Sequence, residues 1–428
     1  MLAHQHEDLW PRARWVPHAS HPTYRTNLIR DSLSSALLTS KIVLMDAKKQ
    51  LLSGVRVADF SRVLAGPYAT AMLADQGAEV FKIEMPGHGD DSRHLGPFTE
   101  TGSTYFTSLN RGKRSIEADL KDPVAHEKLL DFIRTCDVVV ENFRPGVAAK
   151  LGLSFEDVKA VKPDVVYASI SGFGQTGTQA KRPAYDTVIQ ALSGLMSSTG
   201  FPEDSPTRVG ESIADVSAGV FAAFGISSAL FHRQATGEGA HIDIPMLDVM
   251  LAMQPTNTAI HAAGSTPNRV GNRHPVSAPF DTYAGSDGLV VIAVANDKLF
   301  GVLAATLGKP ELATDARFAT DGLRSVNDEE LRTEIEEFTS THTVAELCTI
   351  FDAAGVPNSP VLNFTEAIDG PITAGRDLTT TDARTGHTRL RHPLLVDGAR
   401  PTTTLPVPHL GEHNDELRAP RPRTTTDR

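Results

Sequence analysis

Short β-branched runs alternate with segments of helical periodicity along the first half of the chain. The apolar positions predict strands at 55–60, 78–84, 114–119, 136–141, 165–170 and 241–245. Helices are predicted between them, at 67–75 and from Asp122-Pro123 onward, where Leu129, Phe132 and Ile133 lie on one apolar stripe. This alternation predicts a mostly parallel sheet that is covered by helices on both faces.

The pattern changes in the second half of the chain. Further helices are predicted at 186–198, 216–231 and 248–263, and a stretch rich in Gly, Pro and Asn at 264–279 then predicts a linker or loop. Beyond it, a buried strand at 288–295 and helices near 297–307, 327–340 and 344–354 follow. These elements predict a second, smaller domain.

Composition narrows the classes of function. The 428 residues carry 41 Lys and Arg against 52 Asp and Glu, and the net charge of −11 argues against a general nucleic-acid binder without excluding an anionic ligand. Cys136 and Cys348 form no CxxC pair and the histidines show no ligand spacing, so neither disulfides nor a metal site are expected. No signal-peptide pattern and no apolar run near the roughly 18 residues of a membrane span is present, so we expect a cytoplasmic protein.

One acidic residue stands in an apolar setting. Asp215 lies in the stretch GESIADVSAG at 210–219, and the following residues 216–231 are apolar nearly all round, which predicts a buried helix. At the N-cap or first turn of that helix, the free N–H groups and the helix dipole should favour the charged carboxylate. Two interpretations remain open: a plain helix cap, or a nucleophilic carboxylate aimed into a cleft.

A glycine pattern after the fifth predicted strand resembles a dinucleotide fingerprint. Gly172, Gly174 and Gly177 spell GxGxxG, but the polar segment 178–183 ends in proline and cannot start a helix at once. No strand ending in an acid follows at the expected distance either. We therefore interpret these glycines as a tight turn at the carboxyl end of a strand, where ligands often bind in such sheets.

A set of basic residues lies at predicted strand–loop junctions. It forms either a solvated basic face or a pocket for phosphates, which Arg and Lys bind through charge-assisted hydrogen bonds. Its members are Arg111, Lys113, Arg114, Lys121, Arg144 and Lys150. Near them, Glu84 ends a predicted strand as a capping acid or a ligand contact, and Asp186 is most simply the N-cap of its own helix.

Several motifs occur together in one order along residues 51–415. They are GVRVADFSRVLAGPYATAMLADQGAEVFKIE at 54–84, NRGKRSIEADLK at 110–121, VVENFRPG at 139–146, ASISGFGQTG at 168–177, PAYDTVIQALSGLMSSTG at 183–200, GESIADVSAGVFAAFGISSALFHRQATGEGAHIDIPMLD at 210–248 and LGEH at 410–413. In these motifs the chain resembles the class III CoA-transferase family, which includes formyl-CoA transferase and carnitine CoA-transferase.

The resemblance implies an α/β fold with a large Rossmann-like domain, a smaller α/β domain and an interlocked homodimer. The implied organisation is a loose N-terminal extension at 1–50, a large CoA-binding domain at 51–247, a linker at 248–280, a small domain at 281–365, a return segment at 366–418 that completes the large domain, and a disordered tail at 419–428.

The resemblance also implies the site. The family's catalytic aspartate falls on Asp215, and the substrates would be a coenzyme A thioester and a small carboxylic acid, with no permanently bound cofactor. The implied coenzyme A contacts are Arg62, Val63, Leu64, Ala65, Lys121, Asn142, Phe143 and Tyr185, with Arg144 and Lys150 of the basic set as support for phosphates.

The chain departs from the family pattern at three places, one of which is the predicted C-terminal helix after LGEH, cut short by Pro420 and Pro422. Formyl-CoA transferase has a run of glycines in the loop that closes over the aspartate, whereas 268–288 contains no such run. Met85 stands where the family often has an arginine, which removes one possible adenine or phosphate contact. The resemblance therefore does not carry the formyl/oxalate specificity over to this chain.

Two other functions are alternatives to CoA transfer. An α-methylacyl-CoA racemase of the same superfamily moves a proton with a His–Asp pair, but the racemase histidine falls on Tyr185, a poor base near neutral pH. A non-catalytic CoA-binding protein would not need Asp215 in its full motif. For a transferase, with succinyl-CoA as one candidate donor, Arg182, Arg208 and Arg273 could each meet the second carboxylate of a dicarboxylic acid, or each could be surface charge.

Overall fold

The computed structural model describes residues 50–418 of the chain. The expected N-terminal extension, apart from Gln50, and the expected tail at 419–428 lie outside the described residues. The domain boundaries predicted above remain predictions.

The strands run as follows: β1 Arg56–Asp59, β2 Glu79–Glu84, β3 Phe98–Thr99, β4 Gly102–Ser103, β5 Lys113–Glu117, β6 Val138–Glu141, β7 Val166–Ser171, β8 Ala240–Pro245, β9 Phe280–Ala284, β10 Leu289–Ala293, β11 Asn358–Pro360, β12 Thr379–Thr381 and β13 Thr388–Leu390.

The helices are α1 Ala65–Asp75, α2 Thr104–Leu109, α3 Pro123–Ile133, α4 Val147–Lys150, α5 Phe155–Val161, α6 Asp186–Leu192, α7 Leu195–Ser198, α8 Ile213–Thr236, α9 Met246–Ala252, α10 Pro255–Ala262, α11 Asp297–Thr306, α12 Asp321–Val326, α13 Asp328–Thr339, α14 Val344–Ala354, α15 Phe364–Asp369, α16 Pro371–Ala374 and α17 Asp415–Arg418. Two 3₁₀ turns span Asp91–His94 and Pro310–Thr314.

Six strands form one sheet in the order β5-β2-β1-β6-β7-β8, and every pair is parallel. In order of appearance along the chain this is 3-2-1-4-5-6, the Rossmann arrangement. Neighbouring residues of β1 point to opposite faces, so Val57 joins one buried apolar cluster and Ala58 the other. The prediction of an α/β fold with a mostly parallel sheet is confirmed.

The smaller α/β part contains the antiparallel sheet β11-β10-β9. Tyr283, Val290 and Ile292 of this sheet pack with Phe300 and Phe351 in a third apolar cluster. Three helices of this part, α11, α13 and α14, lie within one residue of their predicted bounds.

Two predicted helices are interrupted. The predicted helix 186–198 becomes α6 and α7 because Gly194, at a φ of 80°, takes a left-handed conformation between them. The predicted helix 248–263 becomes α9 and α10 because Pro255 has no N–H to donate and starts a new helix.

The longest helix, α8, has 24 residues and extends the predicted 216–231 at both ends. Its close approach to α1 requires Gly219, where a Cβ atom would lie 2.7 Å from the carbonyl oxygen of Ala65. Among residues 50–418, α8 is also the one helix whose length and composition would allow it to cross a membrane. This property is weak evidence for a membrane span, because the core helix of a globular fold meets the same criteria of length and composition.

The C-terminal part of the chain returns to the outer strand of the large sheet. The backbone N–H of His413 donates to the carbonyl oxygen of Ser115 at 2.8 Å, and the N–H of Glu117 donates to Asn414 Oδ1 at 2.7 Å. The LGEH motif therefore has a structural use: it fixes this return to strand β5.

Candidate active site

A cleft opens where the strand order reverses, outside the carboxyl ends of β1 and β6. In open α/β sheets this is the position at which ligands bind. Two adjoining pockets form the cleft, of about 350 Å³ and about 300 Å³, and both are lined by Arg62, Phe143 and Val147. We call the larger one, which contains Asp215, the aspartate pocket, and the other the outer pocket.

The structure brings the predicted site residues together, with one exception. The aspartate pocket is lined by Arg62, Val63, Leu64, Ala65, Asn142, Phe143, Arg144, Tyr185 and Asp215, and the outer pocket by Arg62, Lys121 and Phe143. Lys150 lines neither pocket and is exposed at the end of α4. Met85, which stands where the family often has arginine, lies at the outer pocket.

Asp215 occupies the first turn of α8, as predicted, three residues after the N-cap Ser212. We predicted that the start of the helix would favour the charged form of the Asp215 carboxylate, and this prediction is wrong. Burial, assisted by the negative charge of Asp186, raises the pKa of Asp215 to about 7. The carboxyl group therefore exchanges between its two forms near neutral pH.

Asp186 does not cap its own helix, in contrast to the prediction. It is the first residue of α6, behind Tyr185 at the N-cap position, and its side chain is buried. Its Oδ1 accepts the backbone N–H of Ala214 at 2.8 Å, and its Oδ2 accepts from Gln190 Nε2 at 2.7 Å. Asp186 therefore caps α8, the helix that carries Asp215.

The loop after β1 is held in an unusual conformation. Val63 has a φ of 67°, which is rare for a β-branched residue and costs backbone energy. The Asn142 side chain accepts from the N–H of Arg62 and donates to its carbonyl oxygen, both at 2.8 Å, and thereby joins the loops after β1 and β6. These two contacts fix the orientation of the Asn142 side chain at the cleft.

A buried network of opposite charges lies beneath this loop. Lys113 Nζ lies 3.0 Å from Asp59 Oδ2, and Lys82 Nζ lies 2.6 Å from Asp90 Oδ2. Asp90 in turn accepts the N–H of Val63 at 3.2 Å. The network therefore links the sheet to the strained backbone of the ligand-facing loop.

Only two of the six residues in the predicted basic set lie at the cleft. Arg111 pairs with Asp75, Lys113 with Asp59 and Arg114 with Glu79, because all three lie at or beside the start of β5 rather than at its carboxyl end. Of the six, Lys121 and Arg144 line the cleft.

Glu84 serves as a buried structural acid at the wall of the outer pocket. It accepts from Arg93 Nη2 at 2.7 Å and from the Ser115 hydroxyl at 2.6 Å. These hydrogen bonds and the charges of Arg93 and Lys82 hold the pKa of Glu84 below its usual range in spite of burial.

Two residues in the same part of the fold were not predicted as site residues. Tyr105 on α2 is partly buried, and desolvation together with the charges of Asp215 and Glu211 raises its pKa to about 12, so its phenol stays neutral. Glu141, at the end of β6, accepts the N–H of Phe143 at 2.7 Å, and burial raises its pKa to about 7. Neither side chain lines the two described pockets, and both pKa values depend on burial in the fold rather than on the local sequence pattern.

The three arginines that could meet a second carboxylate lie in different surroundings. Arg182 lines the aspartate pocket and stacks over the ring of Phe173, at 5.4 Å from the ring centroid. Arg208 donates to the adjacent carbonyl oxygen of Val209 in an exposed loop, and Arg273 lies 3.7 Å from Asp328 in the smaller part of the fold. Among the described residues, no carboxylate pairs with Arg182.

The glycine pattern after β7 forms a turn, as interpreted. Gly174 and Gly177 have φ values of 85° and 92°, and Gly172 lines the aspartate pocket. The family's covering loop would fall at 268–288. In the described part of the chain, no residue of this segment lines the aspartate pocket. Among residues 50–418, no group of His, Cys, Asp or Glu side chains could hold a metal ion.

The fold and the cleft define a class of α/β protein with a cavity at the switch point of a Rossmann-type sheet, beside a carboxyl group at the start of a helix. The sequence profile of CoA-transferase family III matches residues 52–414, and the chain belongs to this family. It is a class III CoA-transferase, as the motifs predicted.

Named relatives agree with this assignment. The chain is 46% identical to acetyl-CoA:oxalate CoA-transferase of Acetobacter aceti over 327 residues, which cover 76% of this chain and 84% of that protein. It is 39% identical to succinate–glutarate CoA-transferase of Agrobacterium fabrum over 388 residues, which cover 88% and 96%. A CaiB/BaiF family protein from Brucella suis has the same fold, with a TM-score of 0.76 and 38% identity over 86% of this chain and 98% of that one.

Proposed function

We propose that this transferase moves coenzyme A from an acyl-CoA to a free carboxylic acid and that Asp215 is its nucleophile. The observation that carries the proposal is the position of the Asp215 carboxyl group, at the start of a helix and inside the cleft lined by the predicted coenzyme A contacts. A carboxylate suits the task because its acyl derivatives resemble those of the two substrates in energy.

The proposed reaction passes through two covalent states. An oxygen of ionised Asp215 bonds to the acyl carbon, the carbon–sulfur bond of the donor breaks, and coenzyme A leaves as a thiolate. The thiolate then attacks the Asp215 carbonyl carbon of the mixed anhydride, and the donor's free carboxylate departs. The acceptor carboxylate reverses both steps on the aspartyl-CoA thioester and leaves as the new acyl-CoA. The partly buried cleft would limit hydrolysis of these intermediates.

We assign the remaining predicted residues to coenzyme A. The loop 62–65 and Phe143 would line the path of the pantetheine arm, and Lys121 and Arg144 would supply positive charge for phosphates. Lys150 would add positive charge from outside the two pockets. Tyr185, exposed by 75%, would cover the mouth of the aspartate pocket when the ligand is bound.

A panel assay tests the proposed reaction. The purified protein receives succinyl-CoA or acetyl-CoA together with each of a set of free carboxylates, and new thioesters are detected by mass. The proposal expects transfer to at least one acid. Loss of α-proton stereochemistry from a 2-methylacyl-CoA, without any transfer, would support the racemase alternative instead.

The acceptor is proposed to be a dicarboxylic acid. Oxalate, succinate and glutarate, in the names of the two relatives above, all carry a second carboxylate. Arg182 offers a matching charge at the aspartate pocket, where no acid of the described residues neutralises it. A guanidinium binds a carboxylate through two parallel hydrogen bonds.

Arg182→Ala is expected to raise the apparent KM for a dicarboxylate acceptor by about tenfold, the loss of one exposed charge-assisted contact. The KM for a monocarboxylate of similar length should stay unchanged. Arg208→Ala is the matched control, because Arg208 is also an exposed arginine but lies outside the pocket. An equal KM in both variants would remove Arg182 from the acceptor site.

The enzyme is proposed to form a homodimer in which the two chains interlock, and to work in the cytoplasm, where its two free thiols would stay reduced. Helix α8 supports the dimer, because Phe224 and Phe231 on its outer face are exposed by 69% and 76%. Sedimentation of the native protein should give twice the mass of one chain, and a monomer at micromolar concentration would contradict this.

A further inference from the structure

Asp186 is tied more closely to Asp215 than helix capping alone requires. Its carboxylate accepts the N–H of Ala214, the residue directly before Asp215, and both residues lie in the first turn of α8. The side chain of Asp186 is buried, so water screens its charge poorly. Two acids are therefore held close together at one helix start, in a place where the charge of one affects the other.

Gln190 fixes this arrangement from behind. Its Nε2 donates to Asp186 Oδ2 at 2.7 Å, and its Oε1 accepts the N–H of Val209 at 2.9 Å. Gln190 is fully buried, one turn further along α6. The carboxylate of Asp186 thus has a hydrogen-bond donor at each oxygen, which fixes its orientation.

Other ionisable side chains also lie near Asp215. Tyr105, on α2, is a neutral phenol because its pKa is raised to about 12. Arg182 lines the same pocket and is always protonated. Glu211, in the loop before α8, accepts the N–H of Ser212 at 2.8 Å, and Asp91, Arg62 and Arg144 are the further charged residues that line the pocket.

We propose that Asp186 is a positioning residue whose fixed negative charge favours the aspartyl-CoA thioester over the free Asp215 carboxylate. The inference rests on the proposed function, since it assumes that Asp215 becomes acylated. Ionised Asp215 carries a charge that Asp186 repels, whereas acylated Asp215 carries none. Forming the thioester therefore relieves the repulsion.

The charge balance of the half-reaction supports this role. Free enzyme and acyl-CoA are converted into aspartyl-CoA enzyme and a free carboxylate, so the carbon–sulfur bond lost from the donor is regained on Asp215. The negative charge of Asp215 leaves the site with the departing carboxylate. When Asp215 starts in its ionised form, no proton is taken up or released in the net step.

The size of the effect follows from the titration of the same group. Protonation and acylation both neutralise the Asp215 carboxylate, so the electrostatic energy that raises its pKa by one unit also favours acylation about tenfold. Burial is the larger cause of the raised pKa and Asp186 the second, so removing the charge of Asp186 lowers that pKa only in part.

The test compares Asp186→Asn with the wild-type enzyme in mixtures of acyl-CoA and its free acid at a fixed ratio. Intact-protein mass gives the fraction of enzyme that carries coenzyme A, and hydroxylamine release identifies it as a thioester. In parallel, the pH dependence of kcat/KM for the donor locates the acid limb, expected near pH 7 in the wild type because only ionised Asp215 attacks.

Asp186→Asn is expected to move the acid limb to lower pH and to lower the thioester equilibrium constant by about tenfold for each pH unit of that movement. Gln190→Met is the matched control, because it breaks the same hydrogen-bond network but leaves the charge of Asp186 in place. Asp186→Glu, which keeps the charge, should retain both the limb and the thioester.

The outcomes are distinct. If the Asp186→Asn enzyme keeps the wild-type limb and thioester fraction, or if Gln190→Met changes them equally, Asp186 has only a structural role and the inference fails. A wild-type enzyme that transfers no coenzyme A would defeat the proposed function instead. If Asp186→Asn does not fold, infrared difference spectra of the wild type on acylation decide, since a change in the protonation of Asp186 would overturn the inference.

Discussion

Asp215→Ala is expected to lower the kcat of CoA transfer by at least about four orders of magnitude, which is typical for the loss of a covalent nucleophile. The expected loss is this large because no other carboxylate of the described residues lies at the same place in the cleft. Asp186 is buried and its two oxygens are occupied by Ala214 and Gln190, so it cannot substitute. The variant should still bind acyl-CoA, because the loop 62–65 and Phe143 are unchanged.

Asp248→Ala is a matched control for this experiment. Asp248 also lies in the first turn of its helix, α9, three residues after the N-cap Pro245, but it is exposed and lines no part of the cleft. The control should keep wild-type transfer, and only the wild type and the control should trap a hydroxylamine-sensitive label, on Asp215. A transfer rate in Asp215→Ala within tenfold of the wild type would exclude Asp215 as the nucleophile.

Strands and helices whose positions depend on residues close together in the sequence were predicted well. The strands of the large sheet and the start of α3 follow from apolar runs and from the Asp122-Pro123 pair, and Asp122 indeed caps α3. Asp215 was placed in the first turn of its helix for the same reason. The motifs that carry the family resemblance then predicted the residues of the cleft.

Contacts between distant residues could not be predicted in this way. Asp186 seemed to cap its own helix, whereas its partner Ala214 lies 28 positions further along the chain. The pKa of Asp215 depends on burial and on Asp186, and neither is visible in the local pattern. Lys113 was grouped with the other basic residues because it lies at a predicted strand–loop junction, although its side chain is fully buried beside Asp59.

Lys113 therefore offers the second large effect, on stability rather than on chemistry. Its Nζ donates to Asp59 Oδ2, to the carbonyl oxygen of Pro67 and to Asn110 Oδ1, each at 3.0 Å, and it is completely shielded from solvent. Burial lowers the pKa of Lys113 to about 8, so at pH 7 it is still largely protonated and balances Asp59. Removing the ammonium group would leave a buried carboxylate without its nearest counter-charge.

Lys113→Met is expected to lower the free energy of unfolding by about 3–5 kcal/mol, the usual cost of breaking a buried ion pair on one side. Urea unfolding at pH 7 measures this loss of stability, and Lys128→Met on the exposed face of α3 is the control for loss of a lysine.

The double variant Asp59→Leu/Lys113→Met should recover part of the lost stability, because no unpaired charge then remains in the core. A Lys113→Met protein as stable as the wild type would show that Lys82, the other ammonium group near Asp59, suffices to balance this carboxylate.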